Sequence, residues 1–71
     1  MAIPVGALYH HYKGTDYRVI AVALHSETKE PLVVYQTLDG RLTWVRPQAM
    51  FEESVVYNGQ SIPRFTFIRL E

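Results

Sequence analysis

The dipeptide Asp39-Gly40 stands between the runs LVVYQTL (Leu32 to Leu38) and RLTWVR (Arg41 to Arg46), and no other feature limits the fold as strongly. Two β-rich segments joined by Asp-Gly read as a hairpin whose two-residue turn asks for positive φ at both central positions. With the turn there, Leu38 faces Arg41, Tyr35 faces Trp44 and Val33 faces Arg46, because side chains alternate faces with a period of two. Asn58-Gly59 repeats the signal between SVVY and SIPRFTFIRL and predicts a second tight hairpin with one or two closing strands.

The remaining segments read the same way. ALYHHY alternates as a first strand, and KGTD turns the chain, with Gly14 supplying backbone freedom and Asp16 a local acceptor. Tyr17 to Leu24 is rich in β-branched and aromatic residues and predicts a strand. SETKEP then interrupts it, since Pro31 cannot donate to a ladder and biases its predecessor toward extended geometry. PQAMFEE allows one helical turn near Pro47 to Phe51. If His25 faces Leu32 across the SETKEP loop, one face collects Ile20, Val22, Leu24, Val33, Tyr35, Leu42 and Trp44 as the core. Trp44 is then mostly buried. The other face, with Val19, Ala21, Ala23, Val34, Gln36 and Thr43, suits a covered surface or a homodimer contact.

Short strands at close spacing in a 71-residue chain predict an all-β fold. The expected form is a small SH3-like antiparallel barrel of five to six strands, in which the sheet curls to cover its own apolar face and hide its edges. Residues 1–71 are expected to form one domain, with residues 1–6 as a loose N-terminus. Seven Lys and Arg balance seven Asp and Glu, so no long-range field favours a polyanion, and nucleic-acid binding would have to be local. The chain has no cysteine, which sets aside disulfide scaffolds and thiolate metal sites and suits a reducing cytoplasm. MAIPVGALYHHYKG lacks a basic leader, and no apolar run approaches the roughly 20 residues of a membrane span. A cytoplasmic protein with no membrane partner is the expectation.

In this register the loop His25, Ser26, Glu27 and Thr28 shares a rim with Arg46. A carboxylate partner for the arginine is expected there, Glu27 being nearest. The five residues are the candidate site for a polar or anionic group of a protein, peptide or small anionic ligand. A histidine beside hydroxyls and a carboxylate is also minimal acid-base equipment. Contiguous residues on a small barrel, however, do not make the water-excluding convergence that catalysis needs. A non-enzymatic binding module is therefore preferred over a hydrolytic or metal-assisted enzyme, with no catalytic residue assigned. His10 and His11 point to opposite faces of a strand and cannot share an ion, so neither a metal site nor a cofactor is expected. The alternative is a nucleic-acid-binding barrel that uses Tyr12, Lys13, Tyr17, Arg41 and Arg64, with rings as stacking platforms.

The ordered motifs HYKG (His11 to Gly14), HSET (His25 to Thr28), VVY (Val33 to Tyr35), WVRP (Trp44 to Pro47), MF (Met50, Phe51) and PRF (Pro63 to Phe65) resemble the bacterial family called domain of unknown function 1653 (DUF1653). The resemblance runs from about Tyr9 onward. It implies a small stand-alone, cytoplasmic β-barrel of SH3-like type, and it implies no activity.

Overall fold

The computed structural model describes residues 3–71. Seven strands and one helical turn follow in the order β1 (Ala7–His11), β2 (Asp16–Leu24), β3 (Pro31–Thr37), β4 (Thr43–Pro47), α1 (Gln48–Phe51), β5 (Ser54–Tyr57), β6 (Gln60–Pro63) and β7 (Phe65–Leu70). The count exceeds five to six because SIPRFTFIRL breaks at Arg64. Five strands form one antiparallel sheet, ordered β4-β3-β2-β1-β7, and β5 pairs with β6 in a sheet of its own. The all-β expectation holds. Among the described residues no ladder joins β4 to β7, so the hydrogen bonding leaves two edges where a closed barrel would have none.

The β3–β4 hairpin keeps the expected register, with Tyr35 opposite Trp44 and Val33 opposite Arg46. Its turn differs. Only Gly40 takes positive φ, at 75°, and the Gly40 N–H donates to the Thr37 carbonyl at 2.9 Å. The Asp39 carboxylate explains this: it accepts from the Arg41 N–H at 3.0 Å and from the Thr37 hydroxyl at 2.7 Å, a local Asx-type arrangement that holds the turn one residue earlier. Asn58-Gly59 does form the two-residue turn, with φ of 50° and 76° and Tyr57 paired with Gln60.

The β2–β3 pairing departs from expectation. Leu24 faces Pro31 and Val22 faces Val33, two residues from the predicted register, and a bulge at Ile20 then brings Val19 opposite Tyr35. A bulge adds one unpaired residue and bends the strand, so the inward set changes at that point. Val19 is 1% exposed, whereas Ile20, Val22, Leu24 and Leu42 lie on the surface. A second irregularity skips Ile68 between the Leu8–Arg69 and Tyr9–Phe67 pairs of β1 and β7.

The core is aromatic and sits on the concave side. Val19, Val33, Tyr35, Phe51 and Phe65 are buried with Ala7 and Tyr9. Phe51 stacks on Phe65 at 4.0 Å with 8° between ring planes, and Tyr9 and Tyr35 meet Phe51 edge-on at 5.1 and 5.6 Å. The helical turn exists to deliver Phe51. Pro47 precedes it as the N-cap in extended geometry, with φ −52° and ψ 137°. The N-terminal segment from Ile3 is not loose: Ile3 is buried, and the Gly6 N–H donates to the Val19 carbonyl at 2.8 Å. Residues 1 and 2 lie outside the described residues.

Trp44 is 48% exposed, which corrects the expectation that it is mostly buried. Its parity is the predicted one, but β4 is an edge strand, and Thr43, Trp44 and Val45 in its first half are all exposed. Trp44→Ala is therefore expected to remove about 1–2 kcal/mol, below the 3–5 of a fully buried tryptophan, and to leave a folded protein. Thermal unfolding checks the first part. Retained β-sheet amide shifts in the variant check the second, and ready acrylamide quenching of the parent protein's single tryptophan checks its exposure, where a protected indole would contradict the assignment.

Candidate functional site

The loop and the arginine expected to share a rim lie at the same end of the sheet, since Arg46 is opposite Val33, which is opposite Val22. Among the described residues no hydrogen bond or ion pair joins them. In the loop the His25 N–H donates to the Glu30 carbonyl at 2.9 Å, and the Lys29 N–H donates to the His25 carbonyl at 2.8 Å with Lys29 at φ 61°. The His25 ring turns back onto this loop. Its Nδ1 accepts from the backbone N–H groups of Glu27 and Thr28 at 3.1 and 3.3 Å, and the Thr28 hydroxyl accepts from the Glu30 N–H at 3.2 Å. His25 and Thr28 thus satisfy turn donors that would otherwise face water. Ser26 and Glu27 are exposed, and among the described residues no hydrogen bond or ion pair joins Glu27 to Arg46.

Arg46 instead points inward. Residues opposite each other in a ladder share a face, and Val33, the Arg46 partner, is fully buried. The Arg46 guanidinium carbon lies 5.7 Å from the Phe65 ring centroid, over the ring. One of its terminal nitrogens is buried with no hydrogen-bond partner. Phe65 pairs with His11 across β7 and β1, and the two rings meet edge-on at 4.9 Å. The side chains of Arg46 and Phe65 thus bring the two edge strands together where the backbone does not.

His11 is the centre of a positive cluster. Burial first, then the charges of Arg46, Arg64, Lys13 and His10, hold its imidazole below the ordinary histidine range. Its Nδ1 accepts from the Lys13 N–H at 3.2 Å, so the neutral ring carries its proton on Nε2. Arg64 donates to the Glu53 carboxylate at 3.1 Å, yet its Nε is buried without a partner. Tyr12 lies against His11 at 4.7 Å and against Tyr57 at 5.7 Å, and the Lys13 ammonium is 5.9 Å from the Tyr12 ring centroid. Tyr17 touches His11, Tyr35 and Phe65 edge-on.

The family model described as "Protein of unknown function (DUF1653)" matches residues 7–67. The chain belongs to the DUF1653 family. A crystal structure of a DUF1653 protein from Bordetella bronchiseptica is similar over 97% of this chain and 91% of its own, at 30% sequence identity and a TM-score of 0.83. Comparison with curated proteins gives no match.

Set on this DUF1653 fold, the two sets of candidate residues recombine. Arg46, from the rim set, is joined by Tyr12, Lys13, Tyr17 and Arg64 from the nucleic-acid set, all around His11. Arg41 is apart from them, in the β3–β4 turn beside Asp39 at 3.9 Å. The sequence reading missed His11 as the hub. The signal was present: Ala7, Tyr9 and His11 share a strand face, and a histidine closing an otherwise apolar inward stripe meets whatever polar group the core admits. No helix among the described residues is long and apolar enough to cross a membrane.

Proposed function

We propose that this protein is a small non-enzymatic binding module that holds an anionic group, a phosphate or carboxylate, between Arg46 and Arg64 beside His11. The observation that carries the reading is the pair of buried guanidinium nitrogens without partners. A buried donor without an acceptor costs roughly 1–3 kcal/mol, and a fork-shaped, permanently charged guanidinium is matched by an oxyanion. The His11 Nε2–H adds a third donor. In this reading the His25 to Thr28 loop shapes the neighbouring rim, and its ring and hydroxyl serve the turn.

An anion seated there opposes the positive charges that depress His11. Its binding should take up a proton, so affinity should rise as pH falls through the interval between the lowered midpoint of the free protein and a higher bound one. We expect inorganic phosphate to raise the NMR titration midpoint of His11 by about 1 unit against chloride at equal ionic strength. His10, hydrogen-bonded to Asp16 at 2.6 Å, and His25 serve as internal references. Equal movement of all three histidines, or none, refutes the site.

A second reading, single-stranded nucleic acid, is favoured by the Tyr12–Tyr57 ring pair with the Lys13 ammonium over Tyr12 and the Tyr12 N–H donating to the Arg64 carbonyl at 3.1 Å. It predicts an affinity that falls steeply with salt, by about 0.7 logarithmic units per phosphate contact per tenfold change in salt. A small-anion site lacks that slope.

A further inference from the structure

Phe65 also lines a cavity of about 470 Å³, within the roughly 300–1,000 Å³ of small-molecule sites. Four rings line it, from Tyr9, Phe51, Phe65 and Phe67, over Ile3 and Pro4, and among the described residues Glu52 supplies the one charged side chain of its wall. Tyr9 meets Phe51 edge-on at 5.1 Å and Phe67 at 5.7 Å, so the rings present differently inclined surfaces to the space between them. Phe67 is half exposed, and Glu52 is on the surface, so the cavity opens where these two stand.

From this geometry we infer that the cavity is a site for an alkylated ammonium group, held by aromatic faces and the Glu52 carboxylate. Ring faces carry negative electrostatic potential and attract a cation within about 6 Å, most strongly when it is desolvated, and methylated ammonium ions shed water readily. A purely apolar ligand would not need the carboxylate, and an anion would be repelled by it. Glu52 makes no ion pair among the described residues. The hydrogen bond that its carboxylate accepts among the described residues, from the Gln48 side-chain amide at 3.5 Å, comes from a neutral group. Its charge already acts on the pocket: after burial, it is the second cause that raises the Tyr9 phenol above its ordinary range. The site differs from the anion site in sign and in residues, Phe65 being the ring common to both.

The test uses choline and Nα-acetyl-Nε-trimethyllysine amide as probes. The neutral isostere 3,3-dimethylbutan-1-ol and unmodified lysine amide are the controls, with binding read by calorimetry and by the aromatic NMR signals of Phe67. Either methylated cation is expected to bind at least about tenfold more tightly than its control, and which of the two is tighter tells a free headgroup from a modified side chain. Glu52→Gln should reduce that discrimination to less than about threefold, and Phe67→Ala should weaken both cations about tenfold. Both positions are exposed enough for the variants to fold, which retained β-sheet amide shifts would verify. Equal binding of the neutral isostere, or no cation-dependent movement of Phe67, overturns the inference. The phosphate response of His11 is unaffected by either outcome, so the two sites stand or fall separately.

Discussion

Phe51→Ala is expected to abolish the folded state or to lower its melting temperature by about 15 °C or more. Phe51 is 2% exposed, stacks on Phe65 at 4.0 Å and receives the edges of Tyr9 and Tyr35. It is the residue through which the helical turn contributes to the core. Truncating a buried phenylalanine removes about 3–5 kcal/mol. A chain of 71 residues has only about 4–11 kcal/mol in total at the usual stability per residue. In a domain this small each kcal/mol corresponds to about 4–8 °C. Met50→Ala, one position earlier on the same turn and partly exposed, is the control and should melt within a few degrees of the parent. A Phe51→Ala variant that melts with the control would show that the aromatic stack is not the centre of the core.

Arg46→Met is expected to act in the opposite direction on stability while removing anion binding. The guanidinium has a buried nitrogen without a partner. A buried donor left without a partner costs about 1–3 kcal/mol, and an apolar side chain of similar length does not carry that cost. A thioether also keeps a favourable contact with the Phe65 ring, offsetting the lost cation–π attraction. A gain of about 1–2 kcal/mol should raise the melting temperature by about 4 °C or more. The His11 midpoint should rise, because Arg46 is the largest of the charges that depress it, and the phosphate-induced shift should vanish. A destabilised variant would mean that Arg46 serves the fold and would remove the main support for an anion site. Retained phosphate response would place the anion elsewhere.

What could be read from the sequence depended on whether the deciding signal was local. Asn58-Gly59 carries its whole instruction in two residues, and the β5–β6 hairpin obeys it. At Asp39-Gly40 the register survived although the turn did not, because shifting the turn within the loop leaves the Tyr35–Trp44 pairing intact. The bulge at Ile20 had no mark: RVIAVAL reads as an uninterrupted β-branched run, and one unpaired residue in it exchanges Val19 for Ile20 on the inward face. The SETKEP loop misled in a different way. Its length allowed His25 to face Leu32, whereas the His25 ring, by accepting two backbone N–H groups, stabilises a tighter loop that closes on Glu30. Arg46 was placed on the correct face and given the wrong neighbour. Parity along β4 fixes the face, but only the bend of the whole sheet decides that Phe65 and His11, not Glu27, lie across from it.

The strand order also determines how the chain's connectivity serves its chemistry. The β1–β2, β2–β3 and β3–β4 ladders each close a loop of a few residues, whereas the β1–β7 ladder brings Ala7 to Leu70. Loop-closure entropy grows with the logarithm of length, so that last pairing carries about 2 kcal/mol more than any hairpin. Phe65 is on the strand that arrives this way. His11 comes from β1, Arg46 from β4 and Arg64 from the junction of β6 and β7, while Tyr9 and Phe67 face each other across the same long-range ladder. No contiguous half of the polypeptide contains either constellation, so both exist only in the fully closed chain, and neither is available to a partly folded one.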